Sequence, residues 1–178
     1  MFYFKLNKNT FISRIGIGSY KNFGEKLDKQ KSKKIIFNFF DKGVNFIDSS
    51  VNYADGNSEK IIGDILKKNN LRKSFFIASK IFFSVDKNIG DGLSIRNIKA
   101  SMNQIKKNYK TDYIDCIQCH RFDPNQNLYE LVDIFEDLIK RGDIKYWGVT
   151  NWPIDKIFEV LKICRMKKNF VFNQQPLN

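Results

Sequence analysis

Asp48, Tyr53, Lys80 and His120 are residues of types that can move a proton together. A tyrosine with a free pKa of about 10 is a poor proton donor at neutral pH, and a neighbouring ammonium lowers that value by favouring the phenolate. Lys80 would supply the charge, Asp48 would hold Lys80 in place and protonated, and His120 would hydrogen-bond an oxygen on which charge develops. Such a set suits the reduction of a carbonyl group. Each residue alone has a plainer reading: a strand-end Asp caps a turn, a lone Lys is solvated, and a Tyr packs at a surface.

A second pattern competes for the same histidine. Cys116-Ile-Gln-Cys119-His120 spells C-x-x-C-H, the attachment pattern of c-type haem. Side chains alternate along a strand, so two cysteines three apart point to opposite faces and cannot grip one porphyrin or one metal. A redox C-x-x-C needs its first thiol at a helix N-terminus. A zinc site needs two further ligands, and the chain has a single histidine. The cysteines, Cys164 included, are expected as free core thiols, with no metal site.

The whole chain bounds these readings. Its 178 residues are 42% apolar and 15% aromatic, enough for one domain over 1–178 with its own core. No apolar run approaches the roughly 20 residues that cross a bilayer, and the start lacks the order of a signal peptide. A cytoplasmic protein without membrane insertion is expected. The formal charge of +12 accompanies Lys and Asn spread along the chain rather than one basic tract. With no nucleic-acid motif beside it, the charge suits a phosphorylated small molecule and not a nucleic acid.

The elements that must position the four residues follow from apolar spacing. "SKKIIFNFFDKG" predicts a helix with Ile35, Ile36, Phe39 and Phe40 on one face, Ser32 as N-cap and Gly43 as stop. "VNFID" is a strand, "GNSEKIIGDIL" a helix with Ile61, Ile62, Ile65 and Leu66 aligned, and "FIASK" a strand. Ser94 caps a helix carrying Ile95, Ile98, Met102 and Ile105, and "YIDCIQCH" is the next strand. Leu128, Leu131, Val132, Phe135 and Leu138 mark a helix that Gly142 ends, and "IKYWGVT" follows as a strand. Pro153 opens a helix bearing Ile157, Phe158 and Leu161, and "FVFNQ" is the last strand.

With "RIGIG" as the first strand, strand and helix alternate in the manner of a parallel sheet. An open doubly wound sheet would show a Gly-rich turn after its first strand, and "GIGSYKNFG" matches G-x-G-x-x-G only loosely. A closed barrel instead requires reactive residues at the C-terminal ends of several strands. Asp48, Lys80 and His120 end the second, third and fourth strands, and Tyr53 lies in the loop after the second.

On these residues the sequence resembles the aldo-keto reductases, in particular the branch that includes the potassium-channel beta subunits and their bacterial relatives. The resemblance rests on "GVNFIDSSVNYADGNSEKIIGDIL", "FIASK", "TDYIDCIQCHRFDP", "IKYWGVTNWP" and "FNQQPLN", in that order. It implies an α/β fold, an incomplete (β/α)8 barrel of about six βα units with a short N-terminal β-hairpin. It also implies NADP(H) as cofactor and a small aldehyde or ketone as substrate. By resemblance Tyr53 is the general acid, Lys80 its pKa modulator, Asp48 the partner of Lys80, and His120 the group that orients the carbonyl. Thr150, Asn151 and Gln174 would contact the carboxamide, with Gly18, Ser19, Tyr20 and Asp48 also at the cofactor. Trp152 would line the substrate pocket or simply pack.

A complete barrel of this kind takes roughly 250 residues, and its phosphate site is usually built after the seventh and eighth strands. The sequence is therefore expected to be truncated, leaving its first and sixth barrel strands as edges open to a second chain or an oligomer. Two readings stay open: an NADP-dependent reductase, or a decaying or non-catalytic relative acting as a binding or regulatory subunit.

Overall fold

The computed structural model describes residues 1–166 and 170–175. Strands β1 (Tyr3–Asn7) and β2 (Thr10–Ser13) form an antiparallel hairpin. Beyond it run β3 (Ile17–Gly18), α1 (Lys29–Asp41), β4 (Phe46–Asp48), α2 (Asn57–Lys68), β5 (Phe76–Ile81) and α3 (Ile95–Tyr109). The alternation continues through β6 (Ile114–Cys119), α4 (Leu128–Lys140), β7 (Ile144–Thr150), α5 (Ile154–Ile163) and β8 (Phe170–Gln174). Strands β3 to β8 form one parallel sheet in the order of the chain. Right-handed crossovers put every connecting helix on the same face of such a sheet, and its twist curls it into part of a (β/α)8 barrel. The fold is the one expected, hairpin included.

The helix ends show which signals the chain obeys. Ser94 accepts the Asn97 amide as the N-cap of α3, and Gly43 and Gly142 take left-handed φ values of 85° and 75° just past α1 and α4. The expected cap of α1 is wrong. Asp28, not Ser32, accepts the Lys31 amide at 2.8 Å, and Ser32 is buried inside the helix. Both residue types cap well, but a carboxylate also meets the positive end of the helix dipole.

Strand alternation divides the core into two layers. Phe76, Ala78 and Cys116 face the concave side, where Leu6 and Ile12 of the hairpin and Phe46 and Tyr146 close over them. Ile77, Ile81, Ile117, Cys119, Trp147 and Val149 belong to the larger core under the helices. Cys116 and Cys119 thus lie in different layers, as alternation requires. Phe135 of α4 stacks on Trp147 with centroids 4.5 Å apart and planes 6° from parallel.

Helix α5 departs from expectation. Ile157 and Val160 are buried, but Phe158 is 59% exposed and Ile154 66%, with Leu161 beside them. Residues 154, 158 and 161 share a stripe of their own, turned away from the one that meets β7. No described residue covers it.

Candidate active site

The C-terminal ends of the parallel strands surround a cleft of about 510 Å³, within the range of small-molecule sites. Asp48, Tyr53, Lys80 and His120 all line it. Lys80 reaches up from β5 and is almost fully buried. Its Nζ donates to both carboxylate oxygens of Asp48 at 2.6 Å and to the Ser49 carbonyl at 2.9 Å. A buried ammonium demands such a partner set, because unpaired it would cost several kcal/mol.

Tyr53 follows β4 on a tight turn, Tyr53–Gly56, in which Ala54 and Asp55 adopt left-handed φ values of 50° and 52°. Left-handed backbone is costly for non-glycine residues, and here it swings the phenol over the barrel rim. The Tyr53 ring lies 4.9 Å from Tyr20 and 5.9 Å from His120, with Lys80 Nζ 5.5 Å from its centroid. Tyrosine and lysine therefore face each other.

Their electrostatics differ from expectation. The Tyr53 phenol is pushed up to about 12, first by burial and then by the Asp48 carboxylate, against a smaller lowering by Arg121. The carboxylate that raises it is the same one that holds the Lys80 ammonium at contact distance. Burial, Lys80 and Arg121 pull His120 down to about 4, so its imidazole is neutral near pH 7.

Behind β5, Ser79 turns to the helix side and donates to Glu59 Oε1 at 2.5 Å, while Asn108 Nδ2 donates to Oε2 at 2.9 Å. Burial raises this carboxyl to about 7 despite both bonds. Gly63 makes the close packing possible, since a Cβ there would stand 2.3 Å from the Asn108 carbonyl oxygen.

The other wall carries Thr150, Asn151 and Gln174, and Tyr20 lines the cleft beside Tyr53. Asn151 Nδ2 donates to Thr150 Oγ1 at 2.9 Å, and the Asn151 amide donates to the Gln174 carbonyl. Gln174 Oε1 is buried with no partner among the described residues. Two expected residues lie elsewhere. Gly18 and Ser19 are not in the lining, and Ser19 Oγ turns to Ser49 Oγ at 2.8 Å. Trp152 also stays out of it, buried edge-on against Phe122, so packing was the correct alternative. Unforeseen in the lining are Asn52, Phe83, Arg121 and Gln175. Arg121 stands directly after His120, and that adjacency was the available signal.

Taken together, the rim of a parallel sheet, a buried ion pair and a phenol beside an imidazole form a cleft with groups able to hold and move a proton. Residues 14–178 match the aldo/keto reductase family, and the chain belongs to it. It is 32% identical over 149 residues to a probable voltage-gated potassium channel subunit beta of Arabidopsis thaliana, covering 83% of this chain and 45% of that protein. The thermostable aldo-keto reductase Tm1743, crystallised with the inhibitor epalrestat, shares the fold with a TM-score of 0.84 at 23% identity. That match covers 100% of this chain and 63% of that one. The chain thus spans about half the length of the plant relative. Among the described residues no helix is long and apolar enough to cross a membrane.

Members of this family bind nicotinamide cofactors, and the residues present fit the nicotinamide end. Thr150, Asn151 and the bare Gln174 Oε1 offer a hydroxyl, an amide and a buried acceptor along one wall, the complement of a carboxamide.

Proposed function

We propose that the chain reduces a small aldehyde or ketone to an alcohol with NADP(H), with Tyr53 as the proton donor. The observation that carries this reading is the convergence of Asp48, Tyr53, Lys80 and His120 on one cleft from separate strands and a loop. When bound, the cofactor supplies hydride to the carbonyl carbon. Tyr53 supplies the proton to the oxygen, and its raised pKa keeps that proton in place at working pH. A phenol still gives it up readily to an alkoxide, which is far more basic. Lys80, anchored by Asp48, and Arg121 hold positive charge near the phenolate that forms. His120 borders the substrate oxygen as a neutral ring, and Thr150, Asn151 and Gln174 hold the carboxamide. Much of the rate comes from placing the two reactants in line.

The test follows NADPH and NADH oxidation with an aldehyde panel and compares Tyr53→Phe. Turnover that survives this substitution would refute the mechanism. Loss by the 10²- to 10⁴-fold typical of general acid catalysis supports it.

A second reading, a non-catalytic binding or regulatory subunit completed by another chain, is favoured by one observation. The plant protein it matches at 32% identity carries the name of a channel beta subunit. NADPH binding by calorimetry without turnover of any aldehyde would select it.

A further inference from the structure

Among the charged groups that line the cleft, Arg121 is the one whose charge nothing answers. Asp48 and Lys80 neutralise each other at 2.6 Å, and His120 is neutral near pH 7. The guanidinium is therefore left over, and it is exposed. Its Nη1 donates to the His120 carbonyl at 3.3 Å, and no carboxylate among the described residues forms an ion pair with it. Arg72 and Arg141, by contrast, sit 2.9 Å from Asp115 and Asp143. The acid next along the chain, Asp123, is engaged elsewhere: its carboxylate accepts the Leu93 amide at 2.7 Å and the Asn125 amide at 2.9 Å.

An arginine elsewhere on the surface would simply be solvated. This one lines the cleft, and its charge reaches both groups proposed to meet the substrate oxygen, pulling down the Tyr53 phenol and the His120 imidazole alike. Exposed charges further apart than about 10 Å are largely screened by salt. A small molecule with its carbonyl at Tyr53 and His120 thus has its far end within reach of the guanidinium. That group offers N–H donors in a fixed planar fork, which matches the paired oxygens of a carboxylate or a phosphate. Phe83, edge-on to His120 at 5.3 Å, adds apolar surface for a short carbon chain.

We infer that Arg121 sets the substrate class, selecting an aldehyde or ketone that carries an anionic group, carboxylate or phosphate, a short chain away from its carbonyl. This rests on the function proposed above. A neutral aldehyde leaves the guanidinium to water, whereas an anionic one gives it the partner that the chain itself withholds. Arg121 also holds charge near the phenolate, so loss of activity alone would not separate its two roles. A preference between matched substrates does, because help given to Tyr53 acts on both members of a pair.

The test compares kcat/KM within matched pairs, succinic semialdehyde against butanal and glyceraldehyde 3-phosphate against glyceraldehyde, in the wild type, Arg121→Gln and Arg121→Glu. Residue 121 is exposed, so both variants should fold. The wild type should prefer the anionic member of at least one pair by about tenfold, the effect of one charge-assisted hydrogen bond. Arg121→Gln should abolish that preference and Arg121→Glu reverse it, and the pair that shows it tells carboxylate from phosphate. No preference in the wild type, or one unmoved in Arg121→Gln, overturns the inference, and Tyr53-dependent turnover of butanal would then leave the proposed reaction standing. Should no aldehyde turn over, binding decides. The chain contains one histidine, so the ring C–H signals in ¹H–¹³C spectra report His120 while 4-hydroxybutanoate, glycerol 3-phosphate, 1-butanol and glycerol are titrated in. Saturable shifts from an anion that vanish in Arg121→Gln support the inference, and responses alike for anions and neutral alcohols, or alike in both proteins, overturn it.

Discussion

The two walls of the cleft are built to different degrees of completion. On the β4 to β6 side the charged and hydroxyl groups are held, Lys80 on Asp48 and Ser49 and Ser50 on Asn52 and His120, while Gln118 of β6 is buried with neither amide atom partnered among the described residues. On the β7 to β8 side Gln174 Oε1 is buried without a partner among the described residues, and α5 beyond it bares Ile154 and Phe158. The contrast follows from neighbours. Strands β5 and β6 have a paired strand on each side and helices over one face, whereas β8 ends the described sheet with one pairing partner. The Asp48–Lys80 pair is preorganised by the interior of the fold, and the wall proposed for the cofactor lies where the described sheet stops.

This comparison predicts a gradient of effects. The largest belongs to Tyr53→Phe, which should lower reduction 10²- to 10⁴-fold in steady-state assays while leaving the melting temperature nearly unchanged. Next, Lys80→Met leaves the Asp48 carboxylate without its ammonium, and the loss expected in urea unfolding is about 3–5 kcal/mol. A change under 1 kcal/mol would show that the pair is wetter and looser than its 2.6 Å contacts imply.

The two apolar regions should separate as sharply. Phe135→Ala removes the ring stacked on Trp147 and should cost about 3–5 kcal/mol. Phe158→Ala on the bare stripe of α5 should stay within about 0.5 kcal/mol. Equal losses would mean that a partner covers α5 in solution.

The effect of Glu59 is read through pH. Its carboxyl titrates near 7 in the folded protein against 4.5 when free. Below 4.5 both states are protonated and nothing is lost. As pH rises from 4.5 through 7 the unfolded state releases its proton more easily, and folding stability falls by on the order of 3 kcal/mol. Unfolding free energies at pH 5 and pH 8 should show this loss in the wild type and not in Glu59→Gln. On activity, Tyr53 keeps its proton below about 12. The reduction profile should therefore show no basic limb from this residue at pH 9, and a limb there would mean that the bound state lowers the phenol.

Much of this was legible in the residues. The order of strands and helices followed from apolar periodicity, and Asp48, Lys80 and His120 were identified as strand ends because a parallel barrel exposes only those positions to a ligand. The Phe158 error has the opposite origin: periodicity names an apolar residue but does not say whether a neighbour exists to cover it. Ser50 and Glu59 were invisible for a related reason. Ser50 meets His120 across 70 positions of chain, and Glu59 meets Asn108 across 49, separations at which no local pattern survives.

What the sequence by itself determined is the set of reactive types and the periodic rhythm that lays them along one rim, since both are properties of short stretches. Only the tertiary structure decided their state. Protonation and pKa depend on which groups from distant segments come within a few ångströms in a dry interior, and there Asp48 meets the ammonium of Lys80 while Ser50 stands 3.3 Å from a nitrogen of His120.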